Sequence, residues 1–511
     1  MNRSNPGRSG RSNGGADFLQ LDPAEAPPGG LANWLTDRLR TAISTGHLPV
    51  GTRLPATRTL ATDLGISRGV VTESYQRLTE DGHITTHGRA GTVVVGAPIS
   101  TTPASADIST GRSRLRIPLR PPGALREEAG LGDTSCRPAE NLFEAGLAIF
   151  DDLRAVPSRI DLTPGVPDLA SFPRAAWLRA ERAVLSDLES ASFGYGDPAG
   201  TPALRRAVAN WLARNRGIAA DPDDLIIVAG VAQAIGLAAQ VLAQRGVHEI
   251  AVEDPGSLGS RQHLQNWGMR TPPIPVDDRG LQVDVLRESA ARVVMVTPAH
   301  HFPTGVVLDG ERRRELIQWA ADGGLIIEDD YDAEHRYDRL PVPALHAMLT
   351  DHVIYAGSIS KLLAPSLRIG WMLPPPQYKD ELVGRKRLAD LGNAALPQLT
   401  LAHLMESGEL ERHLRFLRRR HRVRRDAMVT AIHNYLPTAT IHGAAAGLHL
   451  TITFDDRTDD ADLAASALAK GVKTHPLSWH SQLPHAPGLV LGYAARTPTE
   501  ITEAIATIAG A

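Results

Sequence analysis

The spacing of apolar residues changes character along the chain. Leu31, Leu35, Leu39 and Ile43 recur every fourth residue, which sets them on one helical stripe that Gly46 ends. "ATRTLATDL" predicts a second short helix, stopped by Gly65. Ser67 then offers an N-cap for a third, "RGVVTESYQRLTED", in which Val71, Tyr75 and Leu78 share a face and which Gly82 closes. "HITTHGRAGTVVVG" follows as two short strands around a glycine-containing turn.

Three helices and a hairpin describe a winged helix-turn-helix, an α+β unit placed at residues 29–97. Residues 1–28 are rich in Gly, Ser, Asn, Arg and Pro and read as a disordered tail, with Arg3, Arg8 and Arg11 solvated. Residues 98–157 have little periodicity before "AENLFEAGLAIFDDL" and read as an extended linker with one helix near its end. From 158 the pattern becomes α/β. The apolar runs "DLIIVAG", "EIAVED", "RVVMVTPA", "GLIIEDDY" and "HVIYAGS" alternate with helical stretches, which predicts a mostly parallel sheet buried between helices. From about 397 helices lead into "GLHLTITF" and "GLVLGYA", a smaller α+β subdomain within the 158–511 unit.

Composition narrows the function classes. A chain of 511 residues needs more than one domain, and a net charge of −3 excludes a wholesale basic coat. Any nucleic-acid contact must be a local basic surface. The single cysteine, Cys136, excludes an intramolecular disulfide framework, and no Cys/His cluster has zinc spacing. "MNRSNPGRSGRSNGG" lacks the apolar segment of a secretory signal, and no apolar run reaches membrane-spanning length. The expectation is a cytoplasmic protein with no membrane partner and no metal.

The third helix directs Ser67, Arg68 and Thr72 away from its apolar face, where a recognition helix meets base edges and phosphates of double-stranded DNA. Arg53 and Arg58 stand before and at the start of the preceding helix as phosphate anchors. His87 and Arg89 lie at the hairpin tip among small neighbours. A small protein-interaction domain with ordinary surface arginines is the alternative from pattern alone. The run "GTRLPATRTLATDLGISRGVVTESYQRLTEDGHITTHGRAGTVV" resembles the GntR-type winged helix over its length. That resemblance implies DNA contacts at Arg53, Arg58, Arg68 and Arg89.

The second unit carries candidate chemistry. Pyridoxal phosphate needs a lysine for an imine, an acid at its pyridine nitrogen, a donor at its phenolic oxygen and a phosphate cradle. Lys361 follows Ser358 and Ser360, and Arg368 offers a planar fork of donors. Asp329 and Tyr331 are two apart at a strand end and so share a side. "IIVAGVAQAIGLAAQVL" is a strand, a glycine and a helix, whose first N–H groups at Gly230, Val231 and Ala232 suit an anion. Each piece alone has a bland reading as a solvated lysine, an acidic strand end or a packing turn.

Together with "YGDPAGTPALRRAVANWLARNRG", "TPAHHFPTG" and "GLHL", these segments resemble fold-type I aminotransferases, and most closely the MocR-type regulators that join a GntR-like head to such a domain. The resemblance implies Lys361 as the imine lysine, Asp329 at the pyridine nitrogen and Tyr331 at the phenolic oxygen. It implies Ser358, Ser360 and Arg368 around the phosphate, and Tyr195 reaching the site of a second subunit in a homodimer. His300, Pro303 and Gly305 would shape the loop beside the ring. It departs at Ser257, where an aromatic residue commonly flanks the ring, and at His301, where Gln is usual. It departs again at Trp479, where some relatives carry an arginine for an effector carboxylate; Arg496 is a substitute candidate. The implied function is a transcriptional regulator that senses an amine, an amino acid or pyridoxal phosphate itself. The alternatives are a working aminotransferase with a DNA-binding head, and a structural dimerisation domain. Arg415, Arg418, Arg419 and Arg422 form a helical basic stripe, read as a solvated face.

Overall fold

A computed structural model describes residues 21–27, 30–44, 48, 51–80, 83–87, 91–95, 146, 148–337, 342–454 and 458–511. Arg89, Cys136, the tail to residue 20 and most of the 98–157 linker lie outside the described residues.

The head contains helices α1 (Leu31–Ser44), α2 (Thr57–Leu64) and α3 (Arg68–Glu80) and strands β1 (Arg53–Leu54), β2 (Ile84–His87) and β3 (Gly91–Val94). Leu35, Leu39 and Ile43 of α1 pack with Leu60 and Leu64 of α2 and with Val71, Tyr75 and Leu78 of α3. The β2–β3 hairpin follows the expected register, Ile84↔Val94 to His87↔Gly91. One strand is additional: "RL" of the sequence "GTRLP" pairs with β3 as Arg53↔Val93 and Leu54↔Thr92. Two residues carry too little pattern to announce a strand; the partner makes it one.

The body opens with α4 (Ile149–Ala155), β4 (Ile160–Asp161), α5 (Arg174–Asp187) and α6 (Pro202–Arg216). Then β5 (Ile226–Val228), α7 (Val231–Gln244), β6 (Ala251–Asp254), α8 (Leu258–Asn266), β7 (Pro273–Asp277), β8 (Gly280–Leu281), α9 (Val283–Glu288) and β9 (Val293–Val296) alternate. They are followed by α10 (Gly310–Ala321), β10 (Leu325–Asp330), β11 (Val353–Ser358), β12 (Gly370–Leu373), α11 (Pro376–Asp390), α12 (Ala395–Glu406) and the long α13 (Glu409–Tyr435). The chain ends with β13 (Thr440–His442), β14 (His449–Thr453), α14 (Asp460–Ala469), β15 (Val472–Lys473), β16 (His475–Pro476), β17 (Gly488–Gly492) and α15 (Pro498–Ala509).

Eight strands form the large sheet in the order β5-β12-β11-β10-β9-β6-β7-β8. The five apolar runs named above are β5, β6, β9, β10 and β11. From β7 to β11 through β6, β9 and β10 the pairing is parallel, while β12 runs antiparallel between β11 and β5. Successive residues of one strand serve opposite faces: Ile227 joins the core under α6, α12 and α13, and Ile226 and Val228 join the core under α7 and α11. Helix α13 spans two cores, with Leu410, Leu414 and Leu417 in the large one and Met428, Ala431 and Ile432 in the small one. The small sheet is β13-β14-β17-β16, all antiparallel.

Two segments near the start of the body close onto its end. β4 pairs in parallel with β15, Lys473 opposite Asp161. Ile149 and Leu153 of α4, inside the stretch read as linker, are buried with Leu258 and Trp479. The one helix expected near the linker's end is α4; its burial against Leu258 and Trp479 and the β4–β15 pairing depend on long-range partners.

The end of β10 is fixed by charge. Arg216, 1% exposed, is ion-paired with Asp330 and also donates to the Val342 carbonyl. Tyr355 donates to the same carboxylate at 2.6 Å. Removing one partner strands a buried charge, so Arg216→Met is expected to cost about 3–5 kcal/mol, measured as a lowered urea midpoint of the full-length protein.

Candidate functional site

In the head, the Ser67 hydroxyl accepts from the Val70 N–H at 3.4 Å and so caps α3. Ser67, Arg68 and Thr72 are exposed on the first turn, opposite buried Val71 and Tyr75. Arg53 and Arg58 are also exposed. A Cβ at Gly91 would lie 2.8 Å from the Arg53 guanidinium, which therefore crosses the wing strand. Of His87 only the backbone pairing is described.

In the body, the carboxyl-terminal ends of β10 and β11 and the amino end of α7 open into a cavity of about 400 Å³. Lys361, Asp329, Tyr331, Ser358, Ser360, Arg368, Gly230, Val231 and Ala232 all line it. Lys361 Nζ donates to the Gly165 carbonyl at 2.5 Å. Gly165 holds φ at +80°, and a Cβ there would stand 2.8 Å from the amine. Burial lowers the Lys361 pKa, partly offset by Asp332 and Asp329. A larger share of neutral amine results, the form that attacks a carbonyl.

Burial, with Asp330 alongside, pushes the Asp329 carboxyl up to about 7. Its Oδ1 is buried and has no hydrogen-bond partner among the described residues. Tyr331 carries its hydroxyl 3.0 Å from His300 Nδ1, and that nitrogen lies 3.0 Å from Asp332 Oδ2. At the other end, Gly230 caps α7 at φ +83° without a side-chain acceptor. The Arg368 guanidinium lies over it, 3.2 Å from where a Cβ would be, and donates to the Ala229 carbonyl. Helix N–H groups, a guanidinium and the nearby Ser358 and Ser360 make an anion cradle. Orphaned acid, amine, phenol and cradle in one cavity fit pyridoxal phosphate. Lys361 would take its aldehyde, Asp329 its pyridine nitrogen, Tyr331 its phenolic oxygen and the α7 turn its phosphate.

Of the remaining sequence candidates in the body, Ser257 also lines the cavity and Tyr195, His301, Trp479 and Arg496 do not. Tyr195 is 94% exposed and does not line the cavity. His301 is buried, contacts Thr304 at 2.7 Å and Glu253 at 3.6 Å, and burial pushes its pKa down to about 3. Ser257 caps α8 through the Ser260 N–H at 3.2 Å, and His263 further along α8 brings an aromatic ring to the same wall. Trp479 is buried against Phe150 and His475. Arg496 is held by the Asp161 carbonyl at 3.0 Å and Glu500 at 3.8 Å. Sequence reasoning did not single out Asp332, His263, Lys473, His475 or His480 as cavity residues, all of which line it. Asp332, three residues from Asp329, was the one with a local signal.

The raised Asp329 pKa has a sign. Its contribution to folding is present below the ordinary carboxyl pKa and is lost as pH rises toward about 7. In cofactor-free protein, Asp329→Asn is therefore expected to gain on wild type as pH rises, by roughly 2 °C or more at pH 8 in melting temperature. With pyridoxal phosphate bound the order reverses, because the carboxylate then has its cation.

The comparisons with known proteins agree with this geometry. Residues 158–508 match the family described as "Aminotransferase class I and II", and residues 31–94 match "Bacterial regulatory proteins, gntR family". The chain is 32% identical to the probable rhizopine catabolism regulatory protein MocR of Rhizobium meliloti, across 93% of this chain and 92% of that protein. It is 28% identical to the pyridoxine biosynthesis transcriptional regulator PdxR of Corynebacterium glutamicum, across 90% of each. The body resembles the crystal structure of kynurenine aminotransferase from Pyrococcus horikoshii, with a TM-score of 0.65 and 26% identity over 71% of this chain and 92% of that one. A DNA-binding winged helix on an aminotransferase-like domain with a pyridoxal phosphate cavity places the chain in one family: it belongs to the MocR-type transcriptional regulators.

Proposed function

We propose that this regulator binds promoter DNA as a homodimer and adjusts that binding to a small amine or amino acid met at the cavity of the body. Pyridoxal phosphate supplies an electrophilic carbon that amines attack reversibly. Lys361 would hold that carbon, and an amine entering the cavity would compete with the lysine for it. A ligand that fits two arrangements of the protein unequally shifts the balance between them, and with it the affinity of the head for DNA.

The observation that carries this reading is the joining, in one chain, of an exposed recognition turn with a complete set of cofactor groups. On the head, Arg68, Ser67 and Thr72 are the residues for base edges, and Arg53 and Arg58 for phosphates. The second copy is supported by exposed apolar side chains: Phe193 at 66%, two residues from Tyr195, Leu178 of α5 at 62%, and Leu388 and Leu391 at the end of α11 at 80% and 56%. Tyr195 would then serve the partner's cavity. The cavity also extends past the cofactor groups to Phe150, Leu153, Lys473 and His475, which supports a separate effector over pyridoxal phosphate alone as the signal.

The test is promoter binding by the purified full-length protein with and without a panel of amines. Arg68→Ala is expected to weaken binding about 5- to 100-fold while leaving the cofactor absorbance unchanged. Lys361→Ala is expected to bind DNA yet lose its response to amines. Promoter affinity unchanged in the first variant, or a response retained in the second, contradicts the reading.

A further inference from the structure

One wall of the cavity is assembled from segments far apart in sequence: α4, the β4–β15 ladder and residues 475–480. At its centre Lys473 is 4% exposed. Its Nζ donates to the Val156 carbonyl at 2.6 Å, and no carboxylate among the described residues lies within ion-pair distance. Asp161, its neighbour across the ladder, lines the same wall beyond that distance and accepts instead from the Thr163 N–H at 2.9 Å. A buried ammonium with one neutral acceptor is an incomplete arrangement, since buried charges are ordinarily paired.

Three imidazoles of the same cavity are incomplete as well. His475, His480 and His449 are 7%, 1% and 1% exposed and all line the cavity. His475 Nδ1, His480 Nε2 and His449 Nδ1 are buried without a hydrogen-bond partner among the described residues. Burial holds all three neutral: His475 and His449 are pushed down to about 3, and His480 well below its ordinary value. A neutral imidazole has one N–H to offer an anion; His449 already gives its own to the Pro303 carbonyl at 3.1 Å, which leaves His475 and His480.

The other cations nearby are committed. Arg496 is held by the Asp161 carbonyl, and Arg261 donates to the Trp479 carbonyl at 3.1 Å. Arg368 serves the α7 turn. Arg154 reaches the cavity rim, but it is exposed and ion-paired with Asp151.

We infer that Lys473, with His475 and His480, forms a subsite for the carboxylate of the effector, so that the amine met at Lys361 belongs to an amino acid. This rests on the sensing reading above and deepens it. Lys473 supplies the counter-charge that neither Trp479 nor Arg496 provides, and the imidazoles complete the hydrogen bonds of the acid.

The experiment uses full-length protein loaded with pyridoxal phosphate and follows the absorbance of the bound cofactor. Probes are glycine, β-alanine, γ-aminobutyrate and δ-aminovalerate, each beside its amide. In wild type the best acid is expected to act at a concentration about tenfold or more below its amide, the size of one charge-assisted contact. Lys473→Met is expected to abolish that preference and Lys473→Arg to keep it. Equal action of acid and amide in wild type, or a preference that survives Lys473→Met, overturns the subsite and leaves the sensing reading intact. If no amine of either series acts, the sensing reading falls, and the subsite is judged by simple acids. Propionate or butyrate should then raise the melting temperature of cofactor-free wild type but not of Lys473→Met; no rise in wild type overturns the subsite too.

Discussion

Three carboxylates are buried in succession at the end of β10, and among the described residues only two of them have hydrogen-bond or ion-pair partners. Glu328 accepts from the Leu345 and His346 N–H groups at 2.9 and 3.0 Å. Asp330 has Arg216 and Tyr355. Because side chains alternate along a strand, those two share one side and Asp329 faces the other, into the cavity. Burial lifts it to about 7, as it does Glu328, but among the described residues Asp329 alone of the three has neither an ion pair nor a hydrogen bond to its buried Oδ1 to offset that. An isolated buried carboxylate is costly, and the natural remedy is a cation. The pyridinium nitrogen of pyridoxal phosphate is such a cation. The rest of the body brings Lys361, Tyr331 and the α7 turn into the same cavity as Asp329.

The parts of this arrangement that were legible in the sequence are those encoded over short spans. Lys361 and Arg368 lie in one loop, Asp329 and Tyr331 at one strand end, and the anion turn within one strand-to-helix junction. The five continuous apolar runs likewise announced five of the eight sheet strands. The head was legible for the same reason: each helix carries its own stripe, and Ser67 marks the start of α3.

What stayed hidden depends on contacts across long separations. β1 is a strand only because β3 lies beside it. β4 joins β15 across roughly 310 residues of chain, so nothing near Ile160 or near Val472 hints at the pairing. Lys473, His475 and His480 were therefore invisible as cavity residues, and "HPLSWHSQL" drew attention to Trp479 instead. The tryptophan proves to be buried packing, and its flanking histidines face the cavity. Ser257 shows the converse: the missing aromatic ring was noticed, but its service as the α8 cap, with His263 further along that helix, needed the fold.

The central claim is that this cavity takes pyridoxal phosphate through Lys361. The most direct measurement is to mix the purified full-length protein with pyridoxal phosphate, reduce with borohydride, digest, and locate the added mass. The account predicts one dominant modified peptide, carrying the phosphopyridoxyl group on Lys361. An unmodified protein, or a label spread over surface lysines with Lys361 untouched, would contradict it.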